Sequence, residues 1–266
     1  MGFDSDFGLP VSGFKSPVHF PLDFHIFNRV IPSHAAMEVI AYTGGFRLFL
    51  TLRDRQQRVV LPMEQMLWLI VGALFGALAG SKLLAWVESP GDYLPHWREP
   101  LVWLGGKTVV GGLLGGWAGV ELAKKLQHIK QATGDIYVFP LIFGMAVGRI
   151  GCFLTGLPDH TYGNFTSLPW AVDFGDGPRH PTQLYDILFL ILLAIVLKWR
   201  MRTAYPDGRI FRLFMLAYLT YRFGVEFIKP TYRPYAGLSA IQLACFIGSI
   251  VCVTLLRRQT SEPLRQ

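Results

Sequence analysis

Apolar runs long enough to cross a lipid bilayer recur along this whole chain. A spanning helix needs roughly 17–25 mostly apolar residues. Runs of about that length lie near residues 34–52, 62–87, 107–123, 136–154, 182–198, 209–228 and 237–256. Hydrophobic residues make up 52% of the chain and charged residues only 16%. The sequence therefore predicts an all-α integral membrane protein with about seven spanning helices.

The basic residues are distributed unevenly around these runs. Clusters of Arg and Lys follow the first, third, fifth and seventh runs, at 53–58, 124–130, 198–202 and 257–258. Because basic segments next to a span stay in the cytoplasm, we expect the N-terminus outside and the C-terminus inside. Residues 153–181 then form a small outward, periplasmic loop region. The net charge of +7 is explained by this topology, and we expect no nucleic-acid partner.

The chain divides into three parts on this basis. Residues 1–33 lack the charged start and compact apolar core of a signal peptide, and we expect an ordered external or interfacial segment there. Residues 34–256 form the membrane domain, and residues 257–266 form a cytoplasmic tail. The three cysteines have no metal-ligand spacing and suggest no disulfide framework, so we predict neither a metal nor a cofactor.

Two arginines inside apolar runs give the strongest functional signal. Arg149 lies in the run 136–154 and Arg222 in the run 209–228. A charge within a bilayer costs about 2.5–3.5 kcal/mol on insertion scales, so it normally faces a partner or a polar cavity. Arg binds phosphate through planar, paired donors, and lipid phosphate is the abundant anion here. The alternative for Arg222 is an ion pair with Glu226, one helical turn later.

Other features border these arginines. Glycines recur at 72, 76 and 80 and again at 111–116, a pattern that permits close helix packing and, in the second set, contact with a ligand. The stretch 169–174 could form a short strand. Pro181 suits the first position of a helix, which places Arg179 and His180 at a helix N-terminus, where anions are favoured.

Several motifs occur in a fixed order along the spans. They are Gly111-Gly112-Leu113, Gly148-Arg149-Ile150-Gly151, Arg179-His180-Pro181-Thr182-Gln183-Leu184-Tyr185, Tyr218-x-x-Tyr221-Arg222-x-x-x-Glu226 and Gly237-Leu238-Ser239-x-x-Gln242. Together they make residues 30–256 resemble the prolipoprotein diacylglyceryl transferase family. The resemblance implies a multi-pass enzyme of the bacterial cytoplasmic (inner) membrane. Such an enzyme moves the diacylglyceryl group of phosphatidylglycerol to the lipobox cysteine of a prolipoprotein and releases glycerol phosphate.

Site roles follow from the chemistry and the motifs together. Arg149 and Arg222 are expected to hold the departing phosphate, and His180 is the candidate general base. Further substrate contacts are expected from Tyr42, Gly111, Gly112, Gly148, Gly151, Arg179, Gln183, Tyr185, Tyr218 and Glu226. The expected partners are phosphatidylglycerol, a prolipoprotein or another membrane acceptor, and membrane lipids. We expect Arg149→Ala to abolish transfer while the chain still folds.

Two positions depart from the family pattern. Val110 stands where the family usually has His, and Cys152 stands where it usually has Asn. These changes favour one alternative to the family activity, a transferase with the same donor and a different acceptor. A non-catalytic lipid-binding or transport protein on the same fold is a further alternative, against which the retained arginines and the His180 motif argue. His34 and Glu38, spaced i, i+4, are a second candidate for the base.

Overall fold

The computed structural model describes residues 20–26, 29–56, 61–96, 98–99, 102 and 105–261. Most of the N-terminal segment assigned to residues 1–33 lies outside the described residues, as does the end of the tail assigned to residues 257–266. Where residues 20–31 are described, Phe24–Ile26 (β1) pairs antiparallel with Arg29–Ile31 (β2).

Every predicted apolar run coincides with a helix. The α-helices are Ser33–Gln56 (α1), Met63–Glu88 (α2), the short Pro90–Tyr93 (α3), Val109–Leu126 (α4), Val138–Thr155 (α5), Thr182–Arg200 (α6), Arg209–Val225 (α7) and Ala240–Ser261 (α8). Short 3-10 turns cover Asp135–Tyr137, Leu157–Asp159 and Glu226–Ile228. Among the described residues, four helical segments are long and apolar enough to cross a membrane: Met63–Glu88, Asp135–Thr155, Thr182–Arg200 and Ala240–Gln259. The all-α membrane class is confirmed, and the number of seven spans stays a prediction.

The expected strand at 169–174 forms only in part. Val172–Asp173 (β3) pairs antiparallel with Pro178–Arg179 (β4). Residues before it turn instead, because the Ala171 amide donates to the Leu168 carbonyl. After it, Asp173 Oδ1 accepts from the amides of Gly175 and Gly177 at 2.8 and 3.0 Å. Both glycines have positive φ, which only glycine adopts without strain, so the chain reverses at once.

Glycine positions decide how α2 and α4 pack. Gly72, Gly76 and Gly80 of α2 lie against Gly119, Gly115 and Gly111 of α4, so that each backbone touches the other. A Cβ on Gly72 would come within 2.6 Å of the Gly119 carbonyl oxygen. Such contact between backbones is typical of small residues spaced four apart in membrane helices. Packing therefore explains both the α2 set and Gly111 in the α4 set.

The outer faces of the helices remain apolar. On α6, for example, Leu188, Ile191, Leu192 and Ile195 are all at least half exposed. The buried core is formed instead by residues such as Val138, Ile210, Phe214 and Met215. Exposed apolar bands of this extent mark a surface that contacts lipid or another protein.

The bundle has two distinguishable ends. At one end, Asp135 accepts from the amides of Gly208 and Phe211 at 2.7 and 2.8 Å, and Phe49 stacks on Tyr137 at 5.0 Å. Gln259 reaches the Asp207 carbonyl at 3.0 Å. The segments that follow α4 and α6 and the end of α8 therefore lie together.

The opposite end holds the outward loop and the start of α8. Glu88 accepts from the Ile241 amide at 2.9 Å. Ser239 and Gln242 bond to each other's backbone amides at 2.9 and 3.1 Å. This is a capping box, and it explains the Ser239-x-x-Gln242 spacing. Asn164 of the loop donates its amide to the Ile228 carbonyl at 2.8 Å, which places the loop beside the end of α7.

Candidate active site

Arg149 lies in a buried network between α5 and α6. Its Nε is 2.7 Å from Oδ2 of Asp186, and the hydroxyl of Tyr221 on α7 donates to the other carboxylate oxygen at 2.9 Å. Tyr221 is itself fixed by stacking on Phe189 at 3.9 Å. The guanidinium is therefore held by a neighbouring helix, although the sequence places no acid within four residues of it.

Asp186 was not among the residues predicted to form the site. A signal was present, because Asp186 is an acid inside the apolar run 182–198. An ionisable residue within a span marks a site by the same criterion that identified Arg149.

Arg222 has a partner on its own helix. Its Nη2 is 2.7 Å from Oε2 of Glu226, and both side chains are buried. The intrahelical ion pair is therefore formed. The contact lacks hydrogen-bond geometry, so Oε2 keeps acceptor capacity, and Arg222 Nη1 is buried with no hydrogen-bond partner among the described residues. Glu226 also accepts from the Thr231 hydroxyl through Oε1 at 2.6 Å.

Two further buried side chains interact electrostatically with both arginines. Tyr218 is 2% exposed, and its hydroxyl interacts electrostatically with both Arg149 and Arg222. Lys229 is also buried, and the same two arginines repel its ammonium group. Tyr218 therefore interacts with both arginines, and a phosphate site shared by the three side chains stays a prediction. Lys229 was not foreseen, since a cation just after an apolar run looks like an ordinary flanking charge.

Arg179 is engaged within the outward loop. It donates from Nε and Nη2 to Asp176 at 2.8 and 2.6 Å, and from Nη1 to the Gly163 carbonyl at 3.3 Å. Its guanidinium lies 3.7 Å from the centre of the Phe165 ring. The hydrogen bonds from Arg179 hold the pKa of Asp176 below its ordinary value. These contacts shape the loop, and a contact of Arg179 with substrate stays a prediction.

His180 belongs to a chain of polar contacts at the start of α6. Its Nδ1 lies 3.1 Å from the Tyr185 hydroxyl, which accepts from Nε1 of the exposed Trp170 at 2.8 Å. Gln183, one turn away, is fully buried, and both polar atoms of its amide lack a hydrogen-bond partner among the described residues. A buried amide in this state is suited to a polar ligand.

The remaining candidates are spread more widely. Tyr42 is 72% exposed on α1. The Cβ of an alanine at Gly148 would meet no atom within 4 Å, whereas at Gly151 it would lie 2.9 Å from Met37 Cβ. Gly112 has only ordinary contacts, the nearest at 3.9 Å.

The two departures from the family pattern lie in different surroundings. Val110 is 1% exposed within the apolar core. Cys152 instead lies beside the arginine cluster, where its sulfur accepts from Arg149 Nη1 at 3.8 Å. Cys152 therefore contacts Arg149, a residue proposed to bind the phosphate, whereas Val110 lies within the apolar core.

Comparison with known proteins agrees with the motifs. The family model for prolipoprotein diacylglyceryl transferase matches residues 21–258. Phosphatidylglycerol–prolipoprotein diacylglyceryl transferases from Cupriavidus necator and Bordetella avium are 33% and 31% identical over 227 and 208 residues. These matches cover 77% of this chain and 79% of the first relative, and 73% and 76% for the second. The enzyme of the same name from Mannheimia succiniciproducens is 41% identical over 133 residues, about half of each protein, at 48%. The chain belongs to the prolipoprotein diacylglyceryl transferase family.

Proposed function

We propose that this transferase moves the diacylglyceryl group of phosphatidylglycerol to the lipobox cysteine thiol of a prolipoprotein and releases glycerol phosphate. The observation that carries the proposal is the buried cluster containing Arg149 and Arg222. Each arginine is paired with a carboxylate, and Arg222 Nη1 has no hydrogen-bond partner among the described residues. Donors that remain free in a buried site suit the oxygens of a phosphodiester.

The chemistry follows from this arrangement. Displacement at the glycerol carbon develops negative charge on the departing phosphate oxygen. Fixed guanidinium donors in a site that excludes water stabilise that charge most strongly. Asp186 and Glu226 hold the two guanidinium groups in place, and the Tyr218 hydroxyl interacts electrostatically with both of them. Arg149 and Arg222 are the proposed catalytic residues.

We also propose the membrane arrangement expected from the sequence. The chain would cross the bacterial inner membrane seven times, with an outside N-terminus and a cytoplasmic C-terminus. The contacts of Asp135, Tyr137 and Gln259 support it, because they gather the segments that follow α4 and α6 and the end of α8 at one end of the bundle. The arginine cluster and the loop 153–181 would then face the periplasmic side, where prolipoproteins are exported.

One observation favours a second candidate. Position 110 carries a buried valine and position 152 a thiol, so the polar groups expected there by resemblance are absent. A transferase with the same donor and a different acceptor, such as a glycolipid, fits this change. A non-catalytic lipid-binding protein fits it less well, since the arginine cluster is intact.

Complementation separates these functions. The wild-type chain and Arg222→Ala are expressed in a bacterium depleted of its own diacylglyceryl transferase, and prolipoprotein processing is followed on gels. The matched control is Arg202→Ala, an arginine exposed just after α6. We expect rescue by wild type and by Arg202→Ala, and none by Arg222→Ala.

A purified assay decides the outcome if rescue fails. The protein in detergent is incubated with phosphatidylglycerol and a membrane extract, and release of glycerol phosphate is measured. Release without prolipoprotein processing would select the different acceptor. Binding of phosphatidylglycerol without any release would select the non-catalytic alternative.

A further inference from the structure

A second group of polar side chains lies beside the arginine cluster, where the start of α1 meets the end of α5. His34, Cys152 and Asp159 each direct one ligand atom into a shared space, and these atoms lie within 4.8 Å of one another. Cys152 is buried, and the other two are half-buried. An imidazole, a thiol and a carboxylate that converge from separate parts of a chain are typical of a zinc site.

The imidazole of His34 is oriented for coordination. Its Nε2 lies 3.4 Å from Oε1 of Glu38, and its Nδ1 lies 3.3 Å from Oδ1 of Asp159. Nδ1 is buried, and no contact among the described residues gives it hydrogen-bond geometry. When Glu38 accepts from Nε2–H, the lone pair of Nδ1 points toward Cys152 and Asp159. A carboxylate on the far nitrogen is how metal-binding histidines are usually held.

The backbone around the group is tightly determined. Gly151 lets α1 approach α5, because a Cβ there would lie 3.3 Å from the Cα of His34. The hydroxyls of Ser33 and Thr155 meet across the same helix pair at 3.3 Å. Thr161 donates to Oδ2 of Asp159 at 2.6 Å and so fixes the carboxylate. The three ligand atoms are therefore positioned by packing that does not depend on an ion.

We propose that His34, Cys152 and Asp159 bind a thiophilic divalent cation, with Zn²⁺ as the best fit. Three protein ligands leave a fourth tetrahedral position open, as in catalytic rather than structural zinc sites. The thiolate and the carboxylate supply two negative charges to balance the cation. Arg149, at 3.8 Å from the Cys152 sulfur, does not oppose this, because Asp186 neutralises its charge at 2.7 Å.

The open position gives the site a role that rests on the proposed function. An acceptor thiol that coordinates there loses its proton to solvent, since a metal-bound thiol is deprotonated. The sulfur then forms a C–S bond to the glycerol carbon, and the C–O bond to phosphate breaks. The electron pair stays on the phosphate oxygen beside the arginines, and the cation is unchanged. The site would thus supply the thiol activation that Val110 cannot.

Metal binding is tested on the full chain purified in detergent. The protein is reconstituted with Zn²⁺, freed of loosely bound ions by a weak chelator, and its metal content is measured. We expect about one ion per chain in wild type, and at least a tenfold loss in Cys152→Ser and in Asp159→Asn. The matched control is Cys252→Ser, a buried cysteine on α8, which should retain the ion. Thermal melting of each apo variant checks that it is folded.

A spectroscopic measurement identifies the ligand. Co²⁺ in place of Zn²⁺ should give a sulfur-to-metal charge-transfer band in wild type and in Cys252→Ser, and none in Cys152→Ser. No stoichiometric Zn²⁺ in folded wild type would overturn the proposal, and so would equal retention by Cys152→Ser.

The role in transfer has its own readout. Chelation should stop transfer to a lipobox peptide and leave binding of phosphatidylglycerol unchanged, and Zn²⁺ should restore transfer. Transfer by protein that binds no ion would overturn the metal site while leaving the proposed function in place. Stoichiometric Zn²⁺ in a chain that transfers to no acceptor would overturn the proposed function and leave the metal site in place.

Discussion

At the scale of single residues, Arg149 and Arg222 are held by carboxylates from different directions. Asp186 reaches Arg149 from the next helix, and Glu226 reaches Arg222 along the same helix. Removal of one partner from a buried pair leaves an uncompensated charge, which costs about 3–5 kcal/mol. We therefore expect Arg149→Ala to fold less stably than wild type, because Asp186 would stay buried with Tyr221 as its only side-chain donor among the described residues.

A double variant separates folding from catalysis at Arg149. We expect Arg149→Ala to lower the melting temperature, and Arg149→Ala with Asp186→Asn to recover most of that loss, because the second change removes the stranded charge. Both should lose at least about 100-fold in transfer, since the donor to the departing phosphate is gone. Differential scanning fluorimetry and glycerol phosphate release measure the two effects. Wild-type turnover in the double variant would exclude Arg149 from the phosphate site.

The outward loop provides a pH-dependent contact. Hydrogen bonds from Arg179 lower the pKa of Asp176, so the carboxylate stabilises the folded loop at pH values above its ordinary pKa of about 4. This contribution is lost as the pH falls through the lowered pKa of the folded state. We expect residues 164–179 to become sensitive to pepsin only at strongly acidic pH. Asp176→Asn should reduce amide protection of the loop already at pH 7, measured by hydrogen exchange. Equal protection in both proteins would show that the Arg179–Asp176 pair does not order the loop.

Contacts between residues close together in the sequence were predictable. The Arg222–Glu226 pair follows from helical spacing, and Arg149 stands out as a charge in an apolar run. Asp186 carried the same signal. The convergence of His34, Cys152 and Asp159 could not be predicted, because it depends on how closely α1 packs on α5 at Gly151.

At the scale of elements, the positions of the helices could be predicted from the sequence, because each apolar run is long and bounded by charged or turn-forming residues. Which helices pack against each other was harder to predict from the sequence. The glycines of α2 suggested packing but named no partner, and the match with Gly111, Gly115 and Gly119 on α4 appears only when the two helices are aligned in register. The short β3–β4 hairpin depends on Gly175 and Gly177, whose turn ends the strand early.

Adjacent glycines on α4 allow a matched test of this packing. An alanine at Gly115 would place its Cβ 2.8 Å from the Gly80 Cα and closer still to the Gly76 carbonyl, whereas at Gly116 the nearest atom is 3.5 Å away. We expect Gly115→Ala to destabilise the protein by about 1–3 kcal/mol through overpacking. Gly116→Ala should be neutral or stabilising, since Ala favours helix by roughly 0.5–1 kcal/mol. Melting temperatures in detergent measure both. Equal melting of the two variants would mean that α2 and α4 separate freely.

At the scale of the whole molecule, the proposed chemistry is concentrated at one end of the bundle. The loop around Asn164 meets the end of α7, and Glu88 caps the start of α8 on the same side. The His34 group lies at the start of α1, beside Arg149 through Cys152. A phosphate and an acceptor that enter from this end would meet both the arginine cluster and the His34 group. The basic segments at the opposite end would then lie on the cytoplasmic side.

Accessibility labelling tests this arrangement. The three native cysteines are buried and should react little with a maleimide. Single cysteines introduced at exposed positions can therefore be detected above this background labelling. Leu168→Cys is preferred to Asp176→Cys as the loop probe, because Asp176 holds Arg179. We expect a membrane-impermeant maleimide to label Leu168→Cys in intact spheroplasts. Lys125→Cys, exposed in the last turn of α4, and Arg202→Cys, exposed just after α6, should be labelled only after lysis. An even number of spans separates Lys125 from Arg202, and an odd number separates each from Leu168. Labelling of Lys125→Cys and Leu168→Cys from the same side would therefore rule out the seven-span topology and, with it, a periplasmic site.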